Sequence, residues 1–217
     1  MSKPAYKLIY FDGKGRGELI RLIFISQNIN YDDSRVKMED WAALKPKTPT
    51  GQLPFLEVRI PQEDGGENVT LLPESIPIAR FVANEAGIAG KTNLEKAQAD
   101  IIVDTLTEFL HAVFEVIYPE INPTALAAVI AKEGTKALGN VQKLFVSNNP
   151  GGEFLVGTEM TWADICFFNV IDTLSSFGED AEKILNSYSP KLMSIYKCVA
   201  ENPNIKKWLE TRPKNPW

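Results

Sequence analysis

Cysteine is scarce in this chain: only Cys166 and Cys198 occur among 217 residues. Two thiols this far apart in sequence provide neither a disulfide framework nor a CxxC redox or zinc motif, so the expectation is two idle or buried side chains. Histidine is scarcer still. His111 stands alone in a helical stretch, and without a second ligand nearby neither a metal site nor a serine-type triad is expected on it. Basic residues are not in excess: 23 Lys and Arg face 28 Asp and Glu, for a net charge of -5. With no basic stripe, nucleic acid and anionic lipid are disfavoured as partners. No segment approaches the ~20 apolar residues of a membrane span. The apolar stretch in MSKPAYKLIYFDGKG is too short for a signal peptide, so no membrane association is expected and the location read from the sequence is cytoplasmic.

Hydrophobic residues make up 44% and charged residues 24% of the chain, the balance of a globular protein with a packed core. The length suits one large domain or two small ones. The first eighty or so residues alternate between short strand-like and helical segments. YKLIYF reads as a strand, GELIRLIFISQN as a helix after the turn DGKGRG, INYDDSRVK as an outer strand, and EDWAALKP as a short helix stopped by Pro46. FLEVRI and NVTLL read as a hairpin around the polar turn PQEDGG. After ESIPIARFVANEAGIAG the strand signals vanish and helical periodicity takes over from about Leu94. The small-residue stretch AGIAGKTN marks a boundary near residues 85 to 92. The expected domains are 1–85, an α/β unit of order βαβαββα, and 93–217, an all-helical bundle.

Thr161-Trp162-Ala163-Asp164 has the form of a capping box, with an apolar run ICFFNVI behind it. A central, buried helix is expected there, and Asp164 reads as a folding residue. Gly13-x-Gly15-x-Gly17 follows a strand and opens a helix, which invites a dinucleotide-binding reading. The spacing is GxGxG rather than GxGxxG, and no second β-α half follows, so that reading fails. The more informative residue is Tyr10, at the end of the first strand. Arg16 follows at the helix start, Leu53-Pro54 precedes one strand and Glu74-Ser75 precedes a helix, so several polar features fall at the ends of elements in one small domain.

With these stretches in the same order and at similar spacing, the chain resembles the cytosolic glutathione transferases over nearly its whole length. Within them it is most similar to the sigma-type group, which includes glutathione-dependent prostaglandin D synthases. The likeness is carried by YKLIYFDGKGRGELIRLIF, the segment of Trp41 and Lys45, TPTGQLPFLEV, PESIPIARFVANEAGIAGKT, ADIIVDTLTEF and GTEMTWADICFF. It implies a thioredoxin-like first domain, with glutathione as co-substrate and conjugation to small hydrophobic electrophiles.

By that resemblance Tyr10 donates its O–H to the glutathione sulfur and favours the thiolate, with Arg16 assisting. Leu53 pairs its backbone with the cysteinyl part of glutathione, ahead of a cis Pro54. Ser75 and Glu74 hold the γ-glutamyl end at a helix amino terminus, where free N–H groups suit an anion. Trp41, Lys45 and Gln52 hold the glycyl carboxylate. Glu108 of the partner subunit reaches the glutathione amino group, which implies a homodimer. Thr50 stands where many members place an aromatic key in the dimer contact. Phe11 and Gly13, with Thr107 and Leu110 on the first long helix, are the expected electrophile-site residues.

Three other readings stand beside this one. Prostaglandin H to D isomerisation is open, although Thr107 replaces a carboxylate of the acidic cluster that makes one vertebrate member metal-responsive, and an aromatic wall residue is missing near Glu115. No metal is therefore expected. A carrier or structural member of the family is the non-enzymatic alternative, against which Tyr10, Arg16, Trp41, Pro54 and Ser75 all stand. A cysteine-type transferase is excluded because no cysteine lies in the first domain.

Overall fold

The structure is a computed structural model that describes residues 4–63, 65–118, 120–178, 180–186 and 188–214. The chain divides into two compact units, one formed by Met1–Ala86 with Asn202–Trp217, the other by Gly87–Glu201.

The first unit is built on a four-stranded mixed sheet. Strand β1 (Ala5–Phe11) leads through a 3-10 turn (Gly15–Gly17) into α1 (Glu18–Ser26), and β2 (Asp32–Val36) then returns parallel to β1. After α2 (Met38–Leu44) and a second 3-10 turn come β3 (Phe55–Pro61), β4 (Glu67–Pro73) and α3 (Ser75–Glu85), which gives the expected order βαβαββα. The spatial order is β2-β1-β3-β4, with β3 antiparallel to both neighbours. Lying inside the sheet, β1 buries Leu8, Ile9 and Tyr10 in succession, as a strand covered on both faces must. β2 is the outer strand and β3–β4 the hairpin that their compositions announce.

One element departs from the sequence expectation. Everything from residue 93 onward reads as part of the helical half, yet α10 (Pro203–Thr211) lies in the first unit, packed on α1. Its apolar side is narrow: Ile205 is buried, and Trp208 donates its indole N–H to Glu18 at 2.9 Å. Periodicity identifies such a segment as a helix but carries no information about which core it joins.

The second unit is all-helical. It comprises α4 (Asn93–Ile117), α5 (Pro123–Val129), a π-helical turn (Ile130–Gly134), α6 (Thr135–Asn148), α7 (Trp162–Ser175), α8 (Ala181–Asn186) and α9 (Pro190–Ala200). The apolar run after Thr161 forms the central helix α7, in which Ile165 to Ile171 are all buried. Asp164 is fully buried and accepts the Thr161 N–H at 2.7 Å, the Thr161 hydroxyl at 2.9 Å and the Leu155 N–H at 2.8 Å. It closes the helix start and also pins the preceding loop. Burial among these uncharged donors pushes its carboxyl up to about 6. Both thiols have raised pKa values, chiefly through burial, with Cys166 deep inside α7.

Candidate functional site

Tyr10 occupies the next-to-last position of β1, where the chain leaves the sheet and wraps back over its own aromatic ring. The turn can close this tightly only because it is built of glycine. At Gly15, with φ of +37°, an added Cβ would run into the Tyr10 hydroxyl, and at Gly17 it would lie 2.6 Å from the ring. Gly15 and Gly17 of the GxGxG pattern are therefore explained by close approach to a tyrosine. The Arg16 backbone N–H donates to the Tyr10 oxygen at 2.9 Å. With that lone pair occupied, the phenol's own proton remains available to a ligand. Burial raises the Tyr10 hydroxyl pKa above the ordinary phenol value, opposed by the Arg16 N–H and by the Arg16 and Arg21 charges. The side chain consequently stays a proton-bearing donor.

Beside this turn, Arg16, Thr50, Gln52, Leu53, Pro54, Glu74 and Ser75 line one small open recess. The Leu53–Pro54 peptide is cis, as the resemblance implies. Glu74 adopts φ of +73°, a left-handed conformation that costs a non-glycine residue on the order of 1–3 kcal/mol. The strained residue sits directly before α3, whose start carries no side-chain cap among the described residues. The helix ladder begins with the Ile78 N–H donating to the Glu74 carbonyl, and Pro77 has no N–H. Ser75 and Ile76 thus offer backbone donors with no acceptor in the helix. A serine hydroxyl, two backbone donors, a carboxylate and a guanidinium converge here, a set that matches the charged end of a small peptide.

Trp41 lies on α2 and meets the Phe11 ring edge-on at 5.4 Å, while Phe11 in turn meets Tyr10 at 5.6 Å. Trp41 is therefore connected to the tyrosine through one intervening ring. Lys45 is exposed, its stem beside Gly51, and it is not among the residues lining the recess. Gly13 is buried and its carbonyl accepts from Arg21. Thr50, expected at a subunit contact, is among the residues lining the recess. In the second unit, Glu108 is exposed on α4, and the Thr107 hydroxyl donates back to the Val103 carbonyl at 2.8 Å. Leu110 is buried at 6% exposure.

The sequence reading passes over a charged network under the tyrosine. Arg21, fully buried on α1, donates to Asp33 at 3.0 Å, Gly13 at 2.6 Å, Phe11 at 3.3 Å and Glu18 at 3.3 Å. The available signal was an arginine three residues after a glutamate inside the otherwise apolar run ELIRLIFIS. Among the described residues, no group of three or more His, Cys, Asp or Glu side chains could hold a metal ion, and no helix is long and apolar enough to cross a membrane.

A thioredoxin-like unit with a cis-proline recess, followed by an all-helical unit, defines the class: a glutathione-binding fold. The comparisons with known proteins agree. Residues 104–212 match the family model described as "Glutathione S-transferase, C-terminal domain". The chain is 39% identical over 220 residues to "Glutathione S-transferase 1" of Ascaris suum, covering 99% of this chain and 100% of that protein. It is 32% identical to "Hematopoietic prostaglandin D synthase" of Gallus gallus, covering 97% of this chain and 98% of that one. The crystal structure of a glutathione S-transferase from Ascaris lumbricoides superposes with a TM-score of 0.76 at 36% identity, covering 98% of this chain and 100% of that chain. This chain belongs to the glutathione S-transferase family, and glutathione is its co-substrate.

Proposed function

We propose that this protein conjugates the glutathione thiolate to small hydrophobic electrophiles, with Tyr10 donating its hydroxyl proton in a hydrogen bond to the sulfur. The observation that carries this reading is the Arg16 N–H on the Tyr10 oxygen, because it turns the phenol proton outward as a donor. A hydrogen bond to a thiolate is stronger than one to a thiol, so it lowers the thiol pKa; a shift of about 2 units corresponds to roughly 3 kcal/mol of preference for the anion. The thiolate then attacks the electrophile, the leaving group departs with the electron pair, and the thiol proton goes to solvent.

The recess supplies orientation. Ser75 and the open start of α3 take the γ-glutamyl carboxylate, Glu74 accepts from the ammonium group, and the Leu53 backbone pairs with the cysteinyl unit. Gln52, Lys45 and Trp41 hold the glycyl carboxylate, and Arg16 adds positive charge. The electrophile residues are Phe11, Gly13, Thr107 and Leu110, as the family resemblance assigns them.

The same reading makes the protein a sigma-type, cytoplasmic homodimer with a detoxifying role. Support for the dimer comes from apolar residues left exposed on each unit: Val69 and Leu71 on β4, Leu94 and Ile101 on α4. Leu94, Ile101 and Glu108 recur every seven residues, on one face of α4. In the dimer, Glu108 of the partner subunit reaches the glutathione amino group. A second reading, prostaglandin H to D isomerisation, is favoured by the 32% identity to the chicken prostaglandin D synthase. The aromatic wall residue missing near Glu115 weighs against it, while Thr107 bears on the metal response of such a member.

The test is conjugation of glutathione to a chloronitroaromatic electrophile by the intact protein and by Tyr10→Phe. We expect turnover in the former and a loss of about 100-fold in kcat in the latter, with glutathione binding nearly unchanged. Glutathione binding without turnover in the intact protein would move the assignment to a carrier.

A further inference from the structure

We propose that Arg21 is a positioning residue of the glutathione site. From beneath Tyr10 it holds the 11–17 turn in the shape that brings the Arg16 N–H to the tyrosine oxygen, and α10 fixes Arg21 in turn through Glu18. The inference rests on the conjugation reading given above and adds a residue that is not among those lining the recess.

The guanidinium of Arg21 is planar and presents its donors in a fixed fork, so its acceptors define its position closely. Nη1 donates to the Gly13 carbonyl at 2.6 Å and Nη2 to the Phe11 carbonyl at 3.3 Å. These two carbonyls bracket the point where the chain leaves β1 and begins the turn. The same group lies 5.7 Å from the centroid of the Tyr10 ring. One side chain therefore touches the strand end, the turn and the tyrosine face, the three parts whose relative placement sets the contact between Arg16 and Tyr10.

What holds Arg21 is equally specific. Its Nε donates to Asp33 at 3.0 Å, and Asp33 also pairs with Arg35 at 2.8 Å. On the other side Glu18 accepts Nη1 at 3.3 Å through one carboxylate oxygen, while the other oxygen takes the Trp208 indole N–H at 2.9 Å and Arg212 at 3.1 Å. A buried carboxylate with three donors cannot turn without leaving at least one unpaired, which is costly at this depth. The charges of Arg16 on the turn and Arg21 on α1 act on the tyrosine, and Glu18 on α1 with Asp33 and Arg35 on β2 surround Arg21, while Asp12 and Lys14 lie on the same turn. None of these hydrogen bonds of Arg21 goes to a residue lining the recess. A positioning role therefore predicts a change at the sulfur with little change in glutathione affinity, whereas a purely structural ion pair predicts neither.

The decisive variant is Arg21→Lys, which keeps a cation beside Glu18 but cannot span Gly13, Phe11 and Asp33 together. Steady-state kinetics, the pKa of the bound thiol read from thiolate ultraviolet absorbance, and hydrogen exchange at the Arg16 amide are compared with wild type. We expect kcat to fall about tenfold, KM for glutathione to stay within about twofold, and the thiol pKa to rise by about one unit. Exchange at the Arg16 amide should rise in parallel. A folded Arg21→Lys protein with wild-type thiol pKa and wild-type Arg16 exchange overturns the proposal. Should that variant fail to fold, Trp208→Phe decides: it removes one donor from Glu18 and keeps the ring. It should shift the thiol pKa and the Arg16 exchange in the same direction, with kcat down about threefold; unchanged values overturn the link through α10. An intact protein without conjugating activity defeats the functional reading alone, because Arg16 exchange in the ligand-free protein still tests this one.

Discussion

Helix α3, beside the recess, begins differently from α4 and α7 of the second unit. In the second unit α4 and α7 are closed by capping boxes, Thr92 with Glu95 and Thr161 with Asp164, and each box satisfies donors that would otherwise be left over. In the first unit α3 starts at Glu74 and Ser75 without a side-chain cap among the described residues, and α1 starts at a glycine. Its first acidic residue, Glu18, turns away from the backbone toward Arg21, Trp208 and Arg212. The starts of α4 and α7 are closed from within, whereas at α3, beside the recess, Ser75 and Ile76 keep N–H groups with no acceptor in the helix. The two buried carboxylates express the same division, since Glu18 is matched by cations and Asp164 only by uncharged hydrogen-bond donors.

The largest effect should come from removing the cation on the first-unit side. Arg21→Met leaves Glu18 buried with the fully buried one of its two cationic partners gone, and we expect about 3–5 kcal/mol lost in urea unfolding. A loss below about 1 kcal/mol would show that Arg212 and Trp208 suffice for Glu18, and the contrast with Asp164 would weaken.

The second prediction concerns pH. The folded-state value of Asp164, about 6, lies above the ordinary 3.8. A raised pKa means that the folded state holds the proton more tightly than the unfolded chain. The stability this group provides is therefore full below about 3.8 and is lost as pH rises through about 6, a swing of about 3 kcal/mol. Denaturation curves for wild type and Asp164→Asn, taken at about pH 4 and about pH 7, should diverge by that amount, with wild type losing ground at the higher pH. Parallel behaviour would mean that the capping dipoles stabilise the carboxylate as well as cations do.

The smallest effect tests the open helix start. Ser75→Ala should change folding stability by less than about 0.5 kcal/mol and weaken glutathione binding about 5–10-fold by calorimetry. The reverse pattern would place Ser75 with the closed caps.

Much of this was legible in the chain. The order βαβαββα, the outer strand, the hairpin and the central buried helix after Thr161 follow from periodicity and turn residues, because each is a local property. The recess was legible only by resemblance: Arg16, Gln52, Leu53, Pro54, Glu74 and Ser75 are scattered over sixty positions, and no local pattern joins them. What escaped had a physical reason. Arg21 sits in an apolar helix where Glu18 is set by helical spacing but Phe11, Gly13 and Asp33 are set by the turn of the chain. Thr92 and Glu95 carry the same capping signature as Thr161 and Asp164, yet only the latter stood out, because the apolar run behind it is denser. The destination of α10 depends on a narrow apolar stripe that suits more than one core.

The 190 positions between Glu18 and Trp208 also bear on how the protein is made. A chain leaves the ribosome at ~5–20 residues per second, so Glu18 and Arg21 are synthesised some ten seconds or more before Trp208 and Arg212 exist. During that interval the second unit can fold on local contacts, while the site-bearing first unit lacks its last wall. In this family member the part of the chain synthesised first is among the last to be completed.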